Sequence, residues 1–109
     1  MPMDAFGALA NPVRRQILIA LRDDPLPAGE LAALFDLSRP AVSEHLQVLR
    51  DARLVSERRD GRRRIYRLEA EPLAEIDEWL HPFEKYWRGR LTALAAVLDD
   101  LEPDPQETP

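Results

Sequence analysis

The chain has 109 residues, 45% of them hydrophobic and 32% charged, and carries a formal net charge of -5, the balance of one globular domain with a modest core rather than of a disordered chain. It has no cysteine and only two histidines, His45 and His81, which excludes disulfides, thiolate metal sites and cysteine nucleophiles and leaves little for zinc or imidazole chemistry. No run of about 18 apolar residues is present, and the opening MPMDAF has neither the basic nor the apolar part of a signal peptide, so a soluble cytoplasmic protein without a membrane partner is expected.

In chain order, residues 4–10 predict a short helix stopped by Asn11-Pro12. Pro12 suits the first turn of a second helix, in which Val13, Ile17, Leu18 and Leu21 recur at helical spacing to about Arg22. DDPLP reads as a loop. Ala28 to Phe35 predicts a third helix with Leu31, Leu34 and Phe35 inward, and Asp36-Leu37 a tight connection. Ser38 is an N-cap candidate for the next helix, with Pro40 in its first turn where the missing N–H costs nothing. Val42, Leu46 and Leu49 form one apolar stripe, leaving Arg39, Ser43, Glu44, Gln47 and Arg50 on the outer face.

Two short runs follow, centred on Asp60-Gly61. An Asp-Gly pair in that position predicts a hairpin with a type I′ turn, its strands Leu54 to Arg58 and Arg63 to Leu68. From Leu73 onward Leu73, Ile76, Leu80, Phe83, Trp87, Leu91, Leu94, Leu98 and Leu101 recur at steps of three and four, one long amphipathic helix. Pro82 interrupts its hydrogen bonding, and because the apolar phase continues across it a kink is expected. The tail, residues 102–109, is too polar and proline-rich to fold.

The charge becomes informative once divided. Residues 37–68 hold nine arginines against four acidic residues, a net of +5, whereas the other 77 residues carry six basic and sixteen acidic side chains, a net of -10. Six arginines, Arg58, Arg59, Arg62, Arg63, Arg64 and Arg67, lie within ten residues of the hairpin. A local cationic surface on an acidic body fits a polyanion and repels it elsewhere.

Two short helices joined by a tight turn, the second with a small polar outer face, then a basic hairpin: this is the layout of a winged helix-turn-helix. The expected fold class is therefore mainly α with a small β-hairpin and a long C-terminal dimerisation helix. Residues 1–101 make one such domain, with a DNA-binding core at about 12–68 and the dimerisation helix at about 72–101. Outward residues of a recognition helix must be short or able to bond base edges in a groove about 12 Å wide; Arg39, Ser43 and Gln47 meet that need. The planar fork of arginine suits phosphate and narrow minor grooves. Arg59, Arg62 and Arg63 at the tip are the better candidates for DNA, while Arg58, Arg64 and Arg67 either join them or pair with acidic neighbours. His45 is placed equally well at the DNA surface and at the core edge, and Tyr66 is read as a packing residue.

The stretches ALANPVRRQILIAL, LSRPAVSEHLQVLRDARLV and RRDGRRRIYRL together closely resemble the bacterial ArsR family of winged-helix regulators, and the C-terminal WLHPFEKYWRGRLTALAAVL is similar to the tail of its metal-independent subgroup. The resemblance implies a homodimeric repressor that leaves its operator on a signal. The candidate DNA-binding set is Ser38, Arg39, Ser43, Glu44, His45, Gln47, Arg50, Arg59, Arg62 and Arg63. The thiolate pair that named the family would fall near Pro27 to Gly29, where this chain has no ligand, so no metal or other cofactor is expected. Where the family usually has a basic residue before the recognition-helix histidine, this chain has Glu44, a carboxylate able to accept from cytosine N4.

Asp77, His81 and Glu84 lie at i, i+4 and i+7, which leaves a metal-responsive repressor as an alternative, although an ordinary solvated helix face is the favoured reading. Trp79, Phe83, Tyr86 and Trp87 are read as core or dimer contacts, since a monomer would leave the last helix an exposed apolar strip. Homodimerisation through residues 4–10 and 73–101 on an inverted-repeat operator is thus expected. A winged-helix module that docks an acidic protein is a second alternative. No nucleophile, base or phosphate-cradling loop points to an enzyme, and the sequence names no small-molecule effector.

Overall fold

The computed structural model describes residues 4–101; the expected disordered tail, 102–109, lies outside the described residues. Helices α1 (Ala5–Ala8), α2 (Pro12–Ala20), α3 (Ala28–Phe35) and α4 (Arg39–Asp51) alternate with strand β1 (Leu26–Pro27). Strands β2 (Val55–Asp60) and β3 (Arg63–Leu68), helix α5 (Leu73–Leu80), a 3₁₀ turn at His81–Phe83 and helix α6 (Glu84–Leu101) follow. The chain divides into two compact units between Asp77 and Glu78.

Local chemistry sets the boundaries in the first unit. Asp4 caps α1, its carboxylate accepting from the Gly7 N–H at 2.9 Å. Asn11 Oδ1 accepts from the N–H groups of Val13 (2.8 Å) and Arg14 (3.2 Å), two of the four donors that a helix start leaves unpaired, and Pro12 at the first position has none to satisfy. Arg14 and Arg15 turn back to donate to the carbonyls of Ala8, Gly7 and Leu9 at the end of α1, where cations complement the helix dipole. The α3–α4 turn is made by Asp36 in the left-handed region (φ 51°, ψ 46°), and Ser38 Oγ then caps α4 by accepting from the Ala41 N–H at 3.2 Å.

Ile17, Leu21, Leu31, Val42, Leu46, Leu49 and Leu54 are fully buried, so α2, α3, α4 and the start of the hairpin share one core. Leu73 and Ile76 pack against its margin. Leu34, inward by its spacing, is instead 62% exposed: in this eight-residue helix the inward stripe is Ala28, Leu31, Ala32 and Phe35, and Leu34 falls off it.

The sheet is antiparallel in the order β1-β3-β2. The segment expected as a loop, DDPLP, supplies β1, with Leu26 opposite Tyr66 and Pro27 opposite Ile65; two residues are too few for a periodic signal, and proline is tolerated there because β1 is an edge strand. The hairpin turn also lies one residue further along than expected, which shifts each cross-strand partner by two. Asp60 pairs with Arg63, which makes Gly61 and Arg62 the central residues, and of these only Gly61 has positive φ (66°). That is the pattern of a type II′ turn with glycine first rather than the type I′ turn expected. Arg59 and Asp60 consequently belong to β2.

In the second unit the helical backbone continues across Pro82, with Leu80 at φ -72°, ψ -25° and Glu84 at φ -58°, ψ -31°. The α pattern does not. The Glu84 N–H bonds the His81 carbonyl, a 3₁₀ closure, because proline donates no hydrogen bond and crowds the preceding turn. In place of the one kinked helix expected, the structure has two α-helices joined by a single tighter turn. Along the run Trp79, Phe83, Tyr86, Trp87, Leu91, Leu94, Leu98 and Leu101 are 39% to 74% exposed, and the Trp79 and Phe83 rings lie 5.1 Å apart between centroids with their planes tilted at 43°.

Candidate nucleic-acid interface

Of the residues singled out on α4, Arg39, Ser43, Glu44 and Gln47 are exposed and His45 is half-buried. Val42, Leu46 and Leu49 pin the opposite face into the core, which is why the outer face is held in one orientation. Gln47 is fixed further, its amide nitrogen donating to Asp51 at 2.9 Å and its carbonyl accepting from Arg50 at 3.2 Å. One N–H and one lone pair of that amide remain available. The Ser38 hydroxyl likewise keeps its own proton for an outside acceptor while its oxygen caps the helix.

Arg39 and Ser43 line one cleft, of about 550 Å³, together with Glu30, Arg62, Arg63 and Arg64. Gly29 makes room in it: a Cβ there would stand 3.2 Å from the Arg39 guanidinium. Ala28 to Glu30, the start of α4 and the hairpin therefore converge on one basic recess, although Ala28 and Tyr66 are 38 residues apart in sequence.

The six hairpin arginines divide by partner. Arg64 Nε lies 3.9 Å from Glu57, Arg67 donates to Glu69 at 3.0 Å, and Arg63 approaches Glu30 at 3.9 Å with both side chains about 60% exposed. Arg58, Arg59 and Arg62 have no hydrogen-bonding or ionic partner among the described residues. By the alternation of the pleat, Glu57 and Arg59 share a face with Tyr66 and Arg64, while Arg58 and Arg67 project to the other.

A feature not read from the sequence lies at the root of the hairpin. The Glu57 carboxylate accepts from Arg50 of α4 and from the Tyr66 hydroxyl, the latter at 2.9 Å, and has Arg64 beside its second oxygen. Tyr66 is thus a packing residue with a polar task as well. Burial by itself would raise the Glu57 pKa, but the Tyr66 hydroxyl and the two guanidinium groups outweigh it and hold the carboxyl below the usual 4.5. Burial and the adjacent carboxylate push the Tyr66 phenol above 10.0. The sequence signal available was weak: Arg50 and Glu57 are seven apart, and only the hairpin register brings Tyr66 opposite Glu57.

Where the 3₁₀ turn meets α6, His81 Nδ1 is 3.5 Å from Glu84 Oε2, and Arg88 holds the same oxygen at 3.1 Å. Among the described residues no three His, Cys, Asp or Glu side chains are grouped to hold a metal ion, so Asp77, His81 and Glu84 are not assembled as a ligand set. No described helix is long and apolar enough to cross a membrane.

A capped helix turned tightly into a second helix with a polar outer face, joined directly to an arginine-bearing hairpin, defines a winged helix-turn-helix, a class built to place one helix in the major groove of DNA. The chain belongs to the ArsR family: residues 11–57 match the bacterial regulatory protein, arsR family. It is 44% identical over 103 residues, 94% of each protein, to the HTH-type transcriptional regulator Rv2034 of Mycobacterium tuberculosis. It is 34% identical over 80 residues, 73% of this chain and 89% of the other, to the transcriptional repressor SdpR of Bacillus subtilis. A crystal structure described as a possible transcriptional regulator for arsenical resistance superposes with a TM-score of 0.67 at 38% identity, over 87% of this chain and 96% of that one. The protein is accordingly a DNA-binding transcriptional regulator and not an enzyme.

Proposed function

We propose that the protein is a homodimeric repressor that occupies an inverted-repeat operator, with one α4 in each of two successive major grooves. The observation that carries this reading is the shared cleft, in which Arg39 and Ser43 of α4 stand beside Arg62 and Arg63 of the hairpin. In the assignment we favour, Ser43, Glu44 and the free half of the Gln47 amide read base edges, Glu44 by accepting from cytosine N4. Ser38 and Arg39 hold the phosphates at the start of the helix, and Arg59, Arg62 and Arg63 hold those flanking it. His45 supports the helix from its half-buried position. Arg50, held by Glu57 and Gln47, positions the hairpin rather than touching DNA.

Support for a repressor comes from the likeness to SdpR, which is named as one. Support for a dimer comes from the large apolar side chains exposed between Trp79 and Leu101, more than a stable monomer usually leaves bare in water. The metal-responsive alternative gains nothing from a last helix whose His81 and Glu84 are already paired with each other and with Arg88.

Salt titration of binding to the duplex upstream of the protein's own gene tests the reading. The logarithm of the binding constant is expected to fall steeply and linearly with the logarithm of salt concentration, and Arg62→Ala to reduce that slope by about 0.9, the share of one neutralised phosphate. A flat response in the unmodified protein, or co-purification of an acidic protein with no DNA binding, contradicts it and favours a protein-docking module.

A further inference from the structure

Of the six hairpin arginines, Arg63, Arg64 and Arg67 stand near carboxylates of the protein itself. Glu57 stands where two of the neighbouring cations meet: its side chain is only 20% exposed, it bonds Arg50 from the end of α4, it lies 3.9 Å from Arg64, and the Tyr66 hydroxyl fixes its orientation. Arg64 shares the hairpin face of Arg59 and lines the cleft with Arg62 and Arg63. Among the described residues, Glu57 is the carboxylate beside Arg64, at 3.9 Å. The consequence for recognition is general. Bonds to phosphate raise affinity for every sequence alike, whereas bonds to bases discriminate, so each arginine withheld from phosphate lowers affinity for operator and random DNA by a similar factor and makes both less salt-dependent.

We propose that Glu57 is a positioning residue that reserves Arg50 and Arg64 for the protein itself, keeping them off the DNA backbone and so limiting the sequence-blind part of the affinity. The inference rests on the proposed reading of the cleft as the DNA surface. Its logic is opposite to that of a merely structural ion pair. Removing a structural pair loosens the wing and weakens binding; removing a reservation releases cations to phosphate and strengthens binding to random DNA.

The test uses the full-length protein, a duplex from upstream of its own gene, and a random duplex of equal length. Glu57→Gln keeps an acceptor for Tyr66 and removes the charge. Its salt slope on random DNA is expected to be steeper than that of the unmodified protein by about one to two, at about 0.9 per released arginine, and its affinities for the operator and the random duplex to rise together. Adding Arg64→Gln to Glu57→Gln is expected to reverse about half of that steepening. In the otherwise unmodified protein Arg64→Gln is expected to leave the slope as it is, and this variant keeps the Arg50–Glu57 bond and so decides the question even if Glu57→Gln does not fold. A slope that is unchanged or shallower in Glu57→Gln, or that drops by about one in Arg64→Gln alone, overturns the proposal. The reading on which it rests fails separately, by a flat slope in the unmodified protein.

Discussion

Gly61 shows how one residue sets the geometry of the hairpin. It alone of the two central turn residues has positive φ, at 66°, and a two-residue loop keeps the right-handed twist of its strands only with a primed turn. A Cβ at Gly61 would meet nothing within 4 Å, so the cost of Gly61→Ala is conformational and not steric. We expect a destabilisation of about 1 kcal/mol, the penalty of the left-handed region for an L residue, read as a lower urea midpoint at unchanged m-value. An unchanged midpoint would show that the turn is not held as described. Asp-Gly was legible as a turn, but its register was not, because Asp60-Gly61 and Gly61-Arg62 both place a glycine where positive φ is wanted. The difference moves every cross-strand partner by two residues, setting Tyr66 rather than Arg64 opposite Glu57, and leaves the face of each arginine as it was.

At the scale of elements, the joint between α4 and the hairpin depends on one carboxylate. Glu57 has its pKa lowered below 4.5 and Tyr66 has its pKa raised above 10.0. A lowered carboxyl stabilises the fold fully above its unfolded pKa, and that contribution fades as pH falls through the folded value; a raised phenol stabilises below about 10 and fades as pH rises through its folded value. The joint is therefore strongest between these limits. Urea midpoints taken downward from pH 6 should fall, and Glu57→Gln should flatten that fall; parallel pH profiles for the two proteins would contradict the assignment. The helices themselves were largely readable, since Asn11, Pro12, Ser38 and Pro40 mark their starts and Val42, Leu46 and Leu49 mark an inward face. Strand β1 and the Arg50–Glu57–Tyr66 cluster were not, because each depends on a neighbour distant in sequence. Pro82 was readable as an interruption, and the 3₁₀ turn is the form that the missing hydrogen bond takes.

For the molecule as a whole, charge and apolar surface are segregated along the chain. The arginines concentrate between residues 37 and 68 of a chain whose remaining net charge is -10, an arrangement that favours one face toward a polyanion. The exposed apolar side chains concentrate from Trp79 to Leu101. If these form a subunit interface, sedimentation equilibrium at micromolar concentration gives twice the chain mass of 12.5 kDa, and Leu94→Glu shifts the protein toward monomer and weakens operator binding; a stable monomer in the unmodified protein would contradict the dimer. A pair of recognition helices carried by one dimer to one operator would use both surfaces. Hydroxyl-radical footprinting of the duplex upstream of the protein's own gene tests it most directly. Two protected segments related by a two-fold axis, with centres about 34 Å apart, are predicted; a single protected segment, or no protection at a concentration that saturates binding, would contradict it.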